Sequence, residues 1–350
     1  MSSARGNSAG ERYAAEHYGD ERDDERFRRA GRGSRPRGKQ RPAHADAVLA
    51  FVVVVDRGRY TCRLTSNFGH GQAAKSSDRP ITAMRARELG RRAVVVGDYV
   101  ELVGDVSGAP GSLARIVRIQ PRRSVLRRST EEGESGERIV VANAERLVMV
   151  VALTDPPPRT GLIDRCLVAA HDADIEPLLC LTKADMPGAD AAADQLRRYY
   201  GQAKLRYVTT RHDRPATELT DTLTDGISVL VGHSGVGKST LVNALVPNAS
   251  RAIGELTGVG KGRHTTTAAL ALALPAGGWI IDTPGIRTFG LAHIDIATVL
   301  ASFPDLIEAT TLCSPGCRHQ IGEPECGLDV WVARGRADSE RLVSLRALLS

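Results

Sequence analysis

The chain has 350 residues and a formal net charge of +6 at pH 7, and 42% of its residues are hydrophobic. This apolar fraction excludes a chain that is disordered throughout, and the length suffices for two or three domains. The longest apolar stretches fall short of the roughly 18 residues of a membrane span, and the polar N-terminus lacks the apolar core of a secretory signal. Six cysteines, three of them close together, indicate a reducing compartment and a metal site rather than a disulfide framework. We therefore expect a cytoplasmic protein with no membrane partner.

Positive charge is concentrated in the first part of the chain. Residues 1–42 carry a net +4 and residues 43–143 a net +5, so that residues 144–350 carry a net −3. A basic front suggests a polyanion such as RNA as its partner, and a merely solvated Arg-rich surface is the alternative. Residues 1–42 show no hydrophobic periodicity, which predicts a disordered basic tail that either folds onto RNA phosphates or only keeps the chain soluble.

Short β-rich segments separated by turn residues follow this tail. The predicted strands are 48–55, 60–64, 93–102 and 113–119. So many short strands within residues 43–125 are typical of a small β-barrel of the OB type. Five arginines fall in or beside the strands, namely Arg57, Arg59, Arg63, Arg115 and Arg118. They suit RNA phosphates, although a barrel alone is a weak indication of nucleic-acid binding.

An alternation of strands and helices begins after a charged linker at 122–137. The predicted strands are 147–153, 177–181, 205–209, 228–231 and 279–281, and the helices include 161–172 and 191–200. Aliphatic runs of this kind are typical of parallel strands buried on both faces, so we expect an α/β domain with a mostly parallel sheet over residues 126–302. A cysteine cluster followed by a helix predicts a small α-helical domain over residues 303–350.

Residues 232–239 fit the phosphate-binding pattern G-x-x-x-x-G-K-[ST] between a predicted strand and a predicted helix. The glycines let the backbone turn so that its N–H groups point at phosphate oxygens. Lys238 would reach the β- and γ-phosphates, and the Ser239 hydroxyl would be a Mg²⁺ ligand. A chance match in a glycine-rich chain is the alternative, which the strand and the helix argue against. The predicted nucleotide contacts of this loop are Gly232, His233, Ser234, Gly235, Val236, Gly237, Lys238, Ser239 and Thr240.

The bound base is indicated by Thr182, Lys183 and Asp185, which resemble the guanine-reading pattern N/T-K-x-D at the end of a predicted strand. The Asp185 carboxylate can accept both N1–H and N2–H of guanine, and adenine offers neither donor. Alone, this string would be a turn after a strand. Together with a phosphate loop it predicts GTP and GDP as ligands, whereas a P-loop ATPase or kinase would require Asp185 to be irrelevant.

A switch region is indicated by Asp282 and Gly285, which fit D-x-x-G after an aliphatic strand. Asp282 would hold Mg²⁺ through water, and the Gly285 N–H would sense the γ-phosphate. One of the threonines at 265–267 would be a further Mg²⁺ ligand, with Thr266 preferred. The guanine motif precedes the phosphate loop here, which is the reverse of the usual order. A circularly permuted GTPase domain is therefore predicted.

The cysteine cluster offers three thiolates and one imidazole, supplied by Cys313, Cys317, His319 and Cys326. This closed Cys₃His set is suited to a structural Zn²⁺ with tetrahedral coordination, because four protein ligands leave no open position for catalysis. Three buried thiols without metal are the alternative. The other cysteines are predicted to be buried and inert, namely Cys62, Cys166 and Cys180.

The order of the motifs and the sequence around them resemble the bacterial ribosome small-subunit-dependent GTPase A family. The matching segments are 122–128, 141–144, 162–165, 181–185, 232–240, 262–267, 282–285 and the cysteine cluster. The resemblance implies an N-terminal OB domain, a permuted GTPase domain and a C-terminal zinc-binding domain. It further implies a GTPase that assists late maturation of the 30S ribosomal subunit, contacts 16S rRNA and is stimulated by the subunit.

Two positions depart from the family pattern. Thr182 stands where most GTPases have Asn, and a hydroxyl cannot make both contacts of an amide. Asp185 still carries the preference for guanine. In the cysteine cluster, the second cysteine and the histidine lie one residue earlier than in the family pattern C-x₄-C-x-H-x₅-C, and the connector at 314–316 can absorb that shift.

Catalysis requires charge neutralisation and a positioned water, and Lys238 and Mg²⁺ supply the first. The residue after D-x-x-G is Ile286, which cannot orient water, so we expect slow intrinsic turnover and acceleration by a partner. His264 is the candidate for positioning water within the chain, and an rRNA contact or a filling role in its loop is the alternative. The GTP-bound state would hold the subunit, and hydrolysis would release it. The competing hypothesis is a non-catalytic RNA-binding assembly protein. Nothing in the sequence indicates a stable dimer.

Overall fold

The computed structural model describes residues 44–65, 79–90, 92–129, 137–203, 205–257, 269–283, 291 and 293–349. The predicted tail lies outside the described residues. Residues Ala43–Ser350 form one compact unit. No helix within the described ranges is long and apolar enough to cross a membrane.

The described residues form thirteen strands and nine α-helices. The strands are β1 Val48–Asp56, β2 Arg59–Leu64, β3 Ile81–Arg85, β4 Tyr99–Gly104, β5 Ala114–Ile119, β6 Val125–Ser129, β7 Glu137–Ala142, β8 Arg146–Ala152, β9 Glu176–Thr182, β10 Arg206–Thr209, β11 Ile227–Val231, β12 Leu270–Ala273 and β13 Trp279–Asp282. The helices are α1 Thr160–Asp172, α2 Ala189–Tyr199, α3 Thr217–Leu223, α4 Lys238–Leu245, α5 Ala249–Thr257, α6 Ile296–Ala301, α7 Pro304–Ile307, α8 Gly327–Ala333 and α9 Ser339–Leu349.

The first five strands close into a barrel in the order β1-β2-β3-β5-β4, with β4 pairing back to β1. The β3–β5 pair is parallel and the other pairs are antiparallel. Alternate side chains fill the interior, including Val52, Cys62, Leu102 and Ile116. The predicted OB-type barrel is therefore confirmed.

Two strands of the barrel differ from the prediction. The strand β3 was not predicted, because its run of five residues is short and ends in two exposed side chains. The strand predicted at 93–102 begins only at Tyr99, because Gly97 has φ +92° and Asp98 donates its backbone N–H to Val95. This turn breaks the extended run.

The sheet of the α/β region has the order β10-β9-β8-β11-β13-β12. Neighbouring strands are parallel except for β12, which runs antiparallel to β13. The central strands are buried on both faces, as their aliphatic sequences predict. At its β12 edge the sheet continues into the barrel through the pair Val54–Leu270.

The segment predicted as a charged linker contains an antiparallel hairpin of β6 and β7. Leu126 and Val141 pair across the hairpin, and both are fully buried in the main core. The linker interpretation was therefore wrong for this segment, because one face of a highly charged hairpin packs inward.

The barrel is joined to the α/β region by a polar contact that we call the barrel junction, formed by Asp98, Arg122 and Asn143. The buried Asp98 carboxylate accepts from Arg122 Nε at 2.7 Å and Nη2 at 2.9 Å. Asn143 Oδ1 accepts from the Arg123 N–H, and its Nδ2 donates to the Gly97 carbonyl. Beside these contacts, the Phe51 and Trp279 rings pack with centroids 4.8 Å apart.

The C-terminal helices pack around Phe303, Leu306 and Leu345, and their core also includes Val168 of α1. A second polar contact, which we call the C-terminal junction, is formed by Asp164, Asp305 and Arg341. Arg341 is 2% exposed and donates to Asp164 Oδ1 at 2.9 Å and to both Asp305 oxygens at 3.1 Å. Its guanidinium also lies over three rings, those of Phe303, Tyr199 and Tyr200.

Charge and burial act in opposite directions on Arg341. Burial lowers the pKa of Arg341, whereas its hydrogen bonds to Asp305 and the nearby carboxylate charges raise it above the usual value. The guanidinium thus stays charged inside the protein. Trp331 of α8 donates Nε1–H to the Asp305 carbonyl, so that this helix is also fixed at the junction.

Candidate nucleotide and metal sites

The predicted nucleotide motifs lie at one edge of the sheet. Strands β8, β9, β11 and β13 are parallel neighbours, so their carboxyl ends meet there. Thr182 ends β9, the loop 232–237 follows β11, and Asp282 ends β13. The Thr182 hydroxyl donates to the Val236 carbonyl at 2.6 Å. Residues far apart in the sequence and in permuted order are thereby brought together.

The loop between β11 and α4 has the backbone geometry that its glycines predict. A side chain at Gly232 would place its Cβ 2.6 Å from the Val150 carbonyl oxygen, so only glycine fits there. Gly237 precedes α4 with φ +91°, a conformation that other residues rarely adopt. The first N–H groups of α4 have no acceptor within the helix, and a loop that leads into such a helix start is typical of phosphate binding.

The cation and carboxylate at this edge form an ion pair. Lys238 Nζ lies 3.2 Å from Asp282 Oδ1. This buried oxygen has no hydrogen-bond partner among the described residues. Ser239 is exposed at the start of α4, so hydroxyl and carboxylate oxygens of the type that Mg²⁺ prefers are both available. These residues fit the predicted metal, whereas His264, Thr266 and Gly285 lie outside the described residues.

The guanine motif is held by its neighbours. Lys183 has φ +59° and donates Nζ–H to the Asp155 carbonyl. Asp185 is exposed, and its Oδ1 accepts from the His212 N–H at 3.2 Å. The Ala184 N–H donates to the Thr210 carbonyl. The motif therefore rests on the loop that follows β10.

Two loops at this edge were missed by the sequence analysis. Residues 210–213 follow β10 and support Asp185 from one side. Residues 154–159 follow β8 and contact both motifs, because Asp155 accepts from Lys183, and Arg159 Nη1 lies 3.0 Å from His233 Nε2. Their position in the chain could have identified both loops, because each one follows a predicted strand of the same parallel sheet.

The four predicted zinc ligands lie together in the C-terminal region, with their ligand atoms all within 4.8 Å of one another. His319 Nδ1 is 3.6 Å from the Cys313 sulfur, 3.4 Å from that of Cys317 and 3.9 Å from that of Cys326. Bond lengths to tetrahedral zinc place nitrogen and sulfur ligands about 3.6 Å apart. The cluster is therefore compatible with Zn²⁺.

Further hydrogen bonds orient this cluster. The Gly327 N–H at the start of α8 donates to the Cys313 sulfur at 3.1 Å. Arg346 of α9 donates Nε–H to the His319 carbonyl and binds Asp329 through both terminal nitrogens. Contacts of this kind hold metal ligands in place.

The remaining thiols are buried, as predicted. Cys62 lies inside the barrel, Cys166 on α1 and Cys180 on β9. Burial raises the pKa of each thiol to about 12. Protonated thiols are poor nucleophiles, so we expect these three cysteines to be inert at neutral pH.

A phosphate loop and a T-K-x-D motif on one parallel sheet, in reversed order, define a circularly permuted P-loop GTPase. The family model described as RsgA GTPase matches residues 119–292. The small ribosomal subunit biogenesis GTPase RsgA of Chlorobaculum parvum is 35% identical over 286 residues, which cover 80% of this chain and 92% of that protein. The chain belongs to the RsgA GTPase family, and it is therefore a GTP hydrolase.

Solved structures agree with this fold. The crystal structure of YjeQ from Thermotoga maritima matches with a TM-score of 0.63 at 24% identity, covering 87% of this chain and 97% of that chain. The structure of YloQ, described as a circularly permuted GTPase, matches with a TM-score of 0.62 at 22% identity, covering 88% and 96%. At these identities the likeness supports the shared architecture of barrel and permuted sheet.

Proposed function

We propose that this GTPase acts in the biogenesis of the small ribosomal subunit, at a late stage of 30S maturation in the cytoplasm. The contact between Thr182 and Val236 carries the nucleotide part of the proposal, since it joins the base motif to the phosphate loop. The name of the Chlorobaculum parvum relative supports the ribosomal part. The protein would act as a monomer that holds the 30S subunit in its GTP-bound state and releases it after hydrolysis.

The residues of the sheet edge have separate roles in this proposal. Lys238 binds the β- and γ-phosphates, and the backbone N–H groups of the loop surround them. Asp185 reads guanine, with Thr182 and Lys183 supporting the base. When bound, Mg²⁺ neutralises charge on the transferring phosphoryl group, and Ser239, Thr266 and Asp282 (through water) would hold it. The nucleotide-binding set is Thr182, Lys183, Asp185, Gly232, His233, Ser234, Gly235, Val236, Gly237, Lys238, Ser239, Thr240 and Asp282.

Water positioning would depend on the partner. Because Ile286 cannot orient a water molecule, turnover without the 30S subunit is expected to be slow. His264 is proposed to orient water once the subunit is bound, and the Gly285 N–H is proposed to sense the γ-phosphate. Unchanged ribosome-stimulated hydrolysis in His264→Ala would exclude that role of the histidine.

The barrel, residues 43–125, is proposed to contact 16S rRNA. Arg57, Arg59 and Arg115 are exposed on it and suit phosphate oxygens. Arg118 is also exposed, but Glu101 already binds it through both carboxylate oxygens. Binding to isolated rRNA should therefore weaken steeply with salt and should depend on the first three arginines more than on Arg118.

Residues 303–350 are proposed to bind one structural Zn²⁺ through Cys313, Cys317, His319 and Cys326, and to add a second rRNA contact. The nitrogen–sulfur distances of the cluster support this metal. Residues 126–302 would form the GTPase domain between the two RNA-contacting regions.

The decisive experiment measures GTP turnover of the full chain with and without purified 30S subunits. Stimulation by the subunits is expected for the wild type and should be absent in Lys238→Ala. A protein that binds RNA and uses nucleotide only as a structural ligand would release no phosphate under either condition.

Base preference is tested separately. GDP should bind far more tightly than ADP, whereas equal affinities would support an ATPase. In Asp185→Asn, xanthosine diphosphate should replace GDP as the preferred ligand, because xanthine carries a carbonyl where guanine has its amino group and an amide can donate to it.

A further inference from the structure

We infer that Arg159 positions the phosphate loop by fixing the ring of His233, an inference that rests on the proposed nucleotide-binding role of this loop. Arg159 belongs to the loop 154–159 after β8 and directly precedes α1. Its guanidinium is exposed at the same sheet edge as the motifs. No family motif of the sequence includes it.

The contacts of His233 define which ring nitrogen carries the proton. Arg159 Nη1 lies 3.0 Å from His233 Nε2, and a guanidinium can only donate, so Nε2 must be the acceptor. The other ring nitrogen, Nδ1, is then the donor. That nitrogen lies 3.3 Å from the Ser234 carbonyl oxygen and donates to it.

The hydrogen bond from His233 Nδ1 to the Ser234 carbonyl determines the direction of the Gly235 N–H. The peptide that joins Ser234 to Gly235 is planar and trans, so its C=O and N–H point in opposite directions. Because His233 holds the Ser234 carbonyl on its own side, the Gly235 N–H points away from the ring. A loop of this type uses such N–H groups to bind phosphate oxygens. Arg159 therefore influences a phosphate-binding donor without touching the phosphate.

The position of Arg159 is itself fixed by the surrounding backbone. The Tyr200 hydroxyl donates to the Thr160 carbonyl at the start of α1. The Pro156 ring lies 3.6 Å from where a Cβ on Gly235 would be. Asp155 accepts from Lys183, which attaches the other end of the loop to the base motif. The loop is thus held on both sides, and Arg159 approaches His233 from a constrained position.

Loss of the contact between Arg159 and His233 should weaken nucleotide binding and leave the stability of the fold unchanged. Exposed contacts of this kind add little to stability, so thermal unfolding of Arg159→Ala should match the wild type. If the Gly235 N–H no longer points at the phosphates, GDP and GTP should bind about fivefold more weakly, which is the equivalent of one net hydrogen bond. The ratio of GDP to ADP affinity should stay unchanged, because the base motif is untouched.

The test is a double-mutant cycle on the full chain, with GDP and GTP affinities measured for wild type, Arg159→Ala, His233→Ala and the double variant. Each single variant should bind about fivefold more weakly, and the double variant should be no worse than either, because both remove the same effect. Arg159→Lys should recover most of the affinity, since an ammonium can also donate to Nε2. Arg198→Ala, which removes an exposed arginine of α2, is the matched control and should bind as the wild type does.

The outcomes separate this inference from the proposed function. If the wild type binds guanine nucleotides and Arg159→Ala binds them equally well, the positioning role is wrong and the proposed function stands. Additive losses in the double variant, or failure of Arg159→Lys to recover affinity, would equally overturn it. If the wild type binds neither GDP nor GTP, the proposed function fails together with this inference.

Discussion

The barrel junction and the C-terminal junction attach two regions to the same parallel sheet by different chemistry. At the barrel junction, the buried Asp98 is paired with an Arg122 side chain that is 17% exposed, and Asn143 binds backbone groups. At the C-terminal junction, Arg341 and its two carboxylates are all nearly fully buried. An arginine that can turn toward water tolerates the loss of its partner, whereas a buried charge does not. The C-terminal junction should therefore be the more sensitive of the two.

Removal of the proposed Zn²⁺ should have the largest effect, and this effect should be confined to the C-terminal side. With Zn²⁺ bound, none of the six cysteines should react readily with a thiol reagent. A strong chelator should release three reactive thiols, because it removes the Zn²⁺ that Cys313, Cys317 and Cys326 are proposed to bind. Cys62, Cys166 and Cys180 should react only after unfolding, since burial holds their pKa at about 12.

Thiol titration of the native, chelated and denatured protein, together with metal analysis, checks this expectation. Cys326→Ser should prevent zinc retention, and Cys180→Ser is the matched control that should retain it. Six reactive thiols immediately after chelation would mean that the metal supports the whole molecule, which would contradict the comparison.

Arg341→Met should have the next largest effect. The substitution leaves two buried carboxylates without their cation, and the loss of one partner of a buried ion pair costs about 3–5 kcal/mol. Urea unfolding of the full chain measures the change. Arg334→Met, at an exposed arginine just after α8, should stay within about 0.5 kcal/mol of the wild type.

A second substitution sharpens the interpretation. If unpaired carboxylate charge causes the loss, Asp164→Asn in the Arg341→Met background should recover part of it. No recovery would assign the loss to the packing of the guanidinium against its three rings instead.

Asp98→Ala should destabilise the protein less, by about 1.5–3 kcal/mol, the range for hydrogen bonds to charged groups. The carboxylate accepts from Arg122 and from the Val95 N–H, but the released guanidinium can reach water. The same urea unfolding applies, with the exposed Asp46→Ala as control. A loss as large as that of Arg341→Met would show that exposure of the arginine is not what distinguishes the junctions.

Asp329→Ala should have the smallest effect, at most about 1 kcal/mol. This carboxylate is 51% exposed although it binds Arg346 through both oxygens. Zinc content should be unchanged, because Arg346 still donates to the His319 carbonyl. Loss of zinc in this variant would show that the exposed pair of Asp329 and Arg346 helps to hold the zinc ligands in place.

The sequence predicted best those elements whose pattern is local. The parallel strands are continuous aliphatic runs, and the phosphate loop is one uninterrupted string, so both could be recognised without knowing their neighbours. The hairpin of β6 and β7 was missed because two arginines follow the buried Leu126 and β7 begins with Glu137 and Arg138, a charge density typical of a linker.

The missed parts of the candidate site depend on tertiary neighbours. Arg159 and His212 contact residues that are 74 and 27 positions away in the chain and that only the strand order brings close. The burial of Arg341 could not be predicted either, because nothing in the sequence of α9 distinguishes it from an exposed arginine. Its burial results from carboxylates on α1 and α7 that no local pattern reveals.

The chain has two tryptophans, and they lie at opposite junctions. Trp279 stacks against Phe51 where the barrel meets the sheet, and Trp331 donates to the Asp305 backbone beside Arg341. Intrinsic fluorescence therefore contains one signal from each attachment. With Trp279→Phe or Trp331→Phe, the emission of the remaining indole follows the opening of a single junction, so the order in which the two ends detach during unfolding can be recorded without an added label.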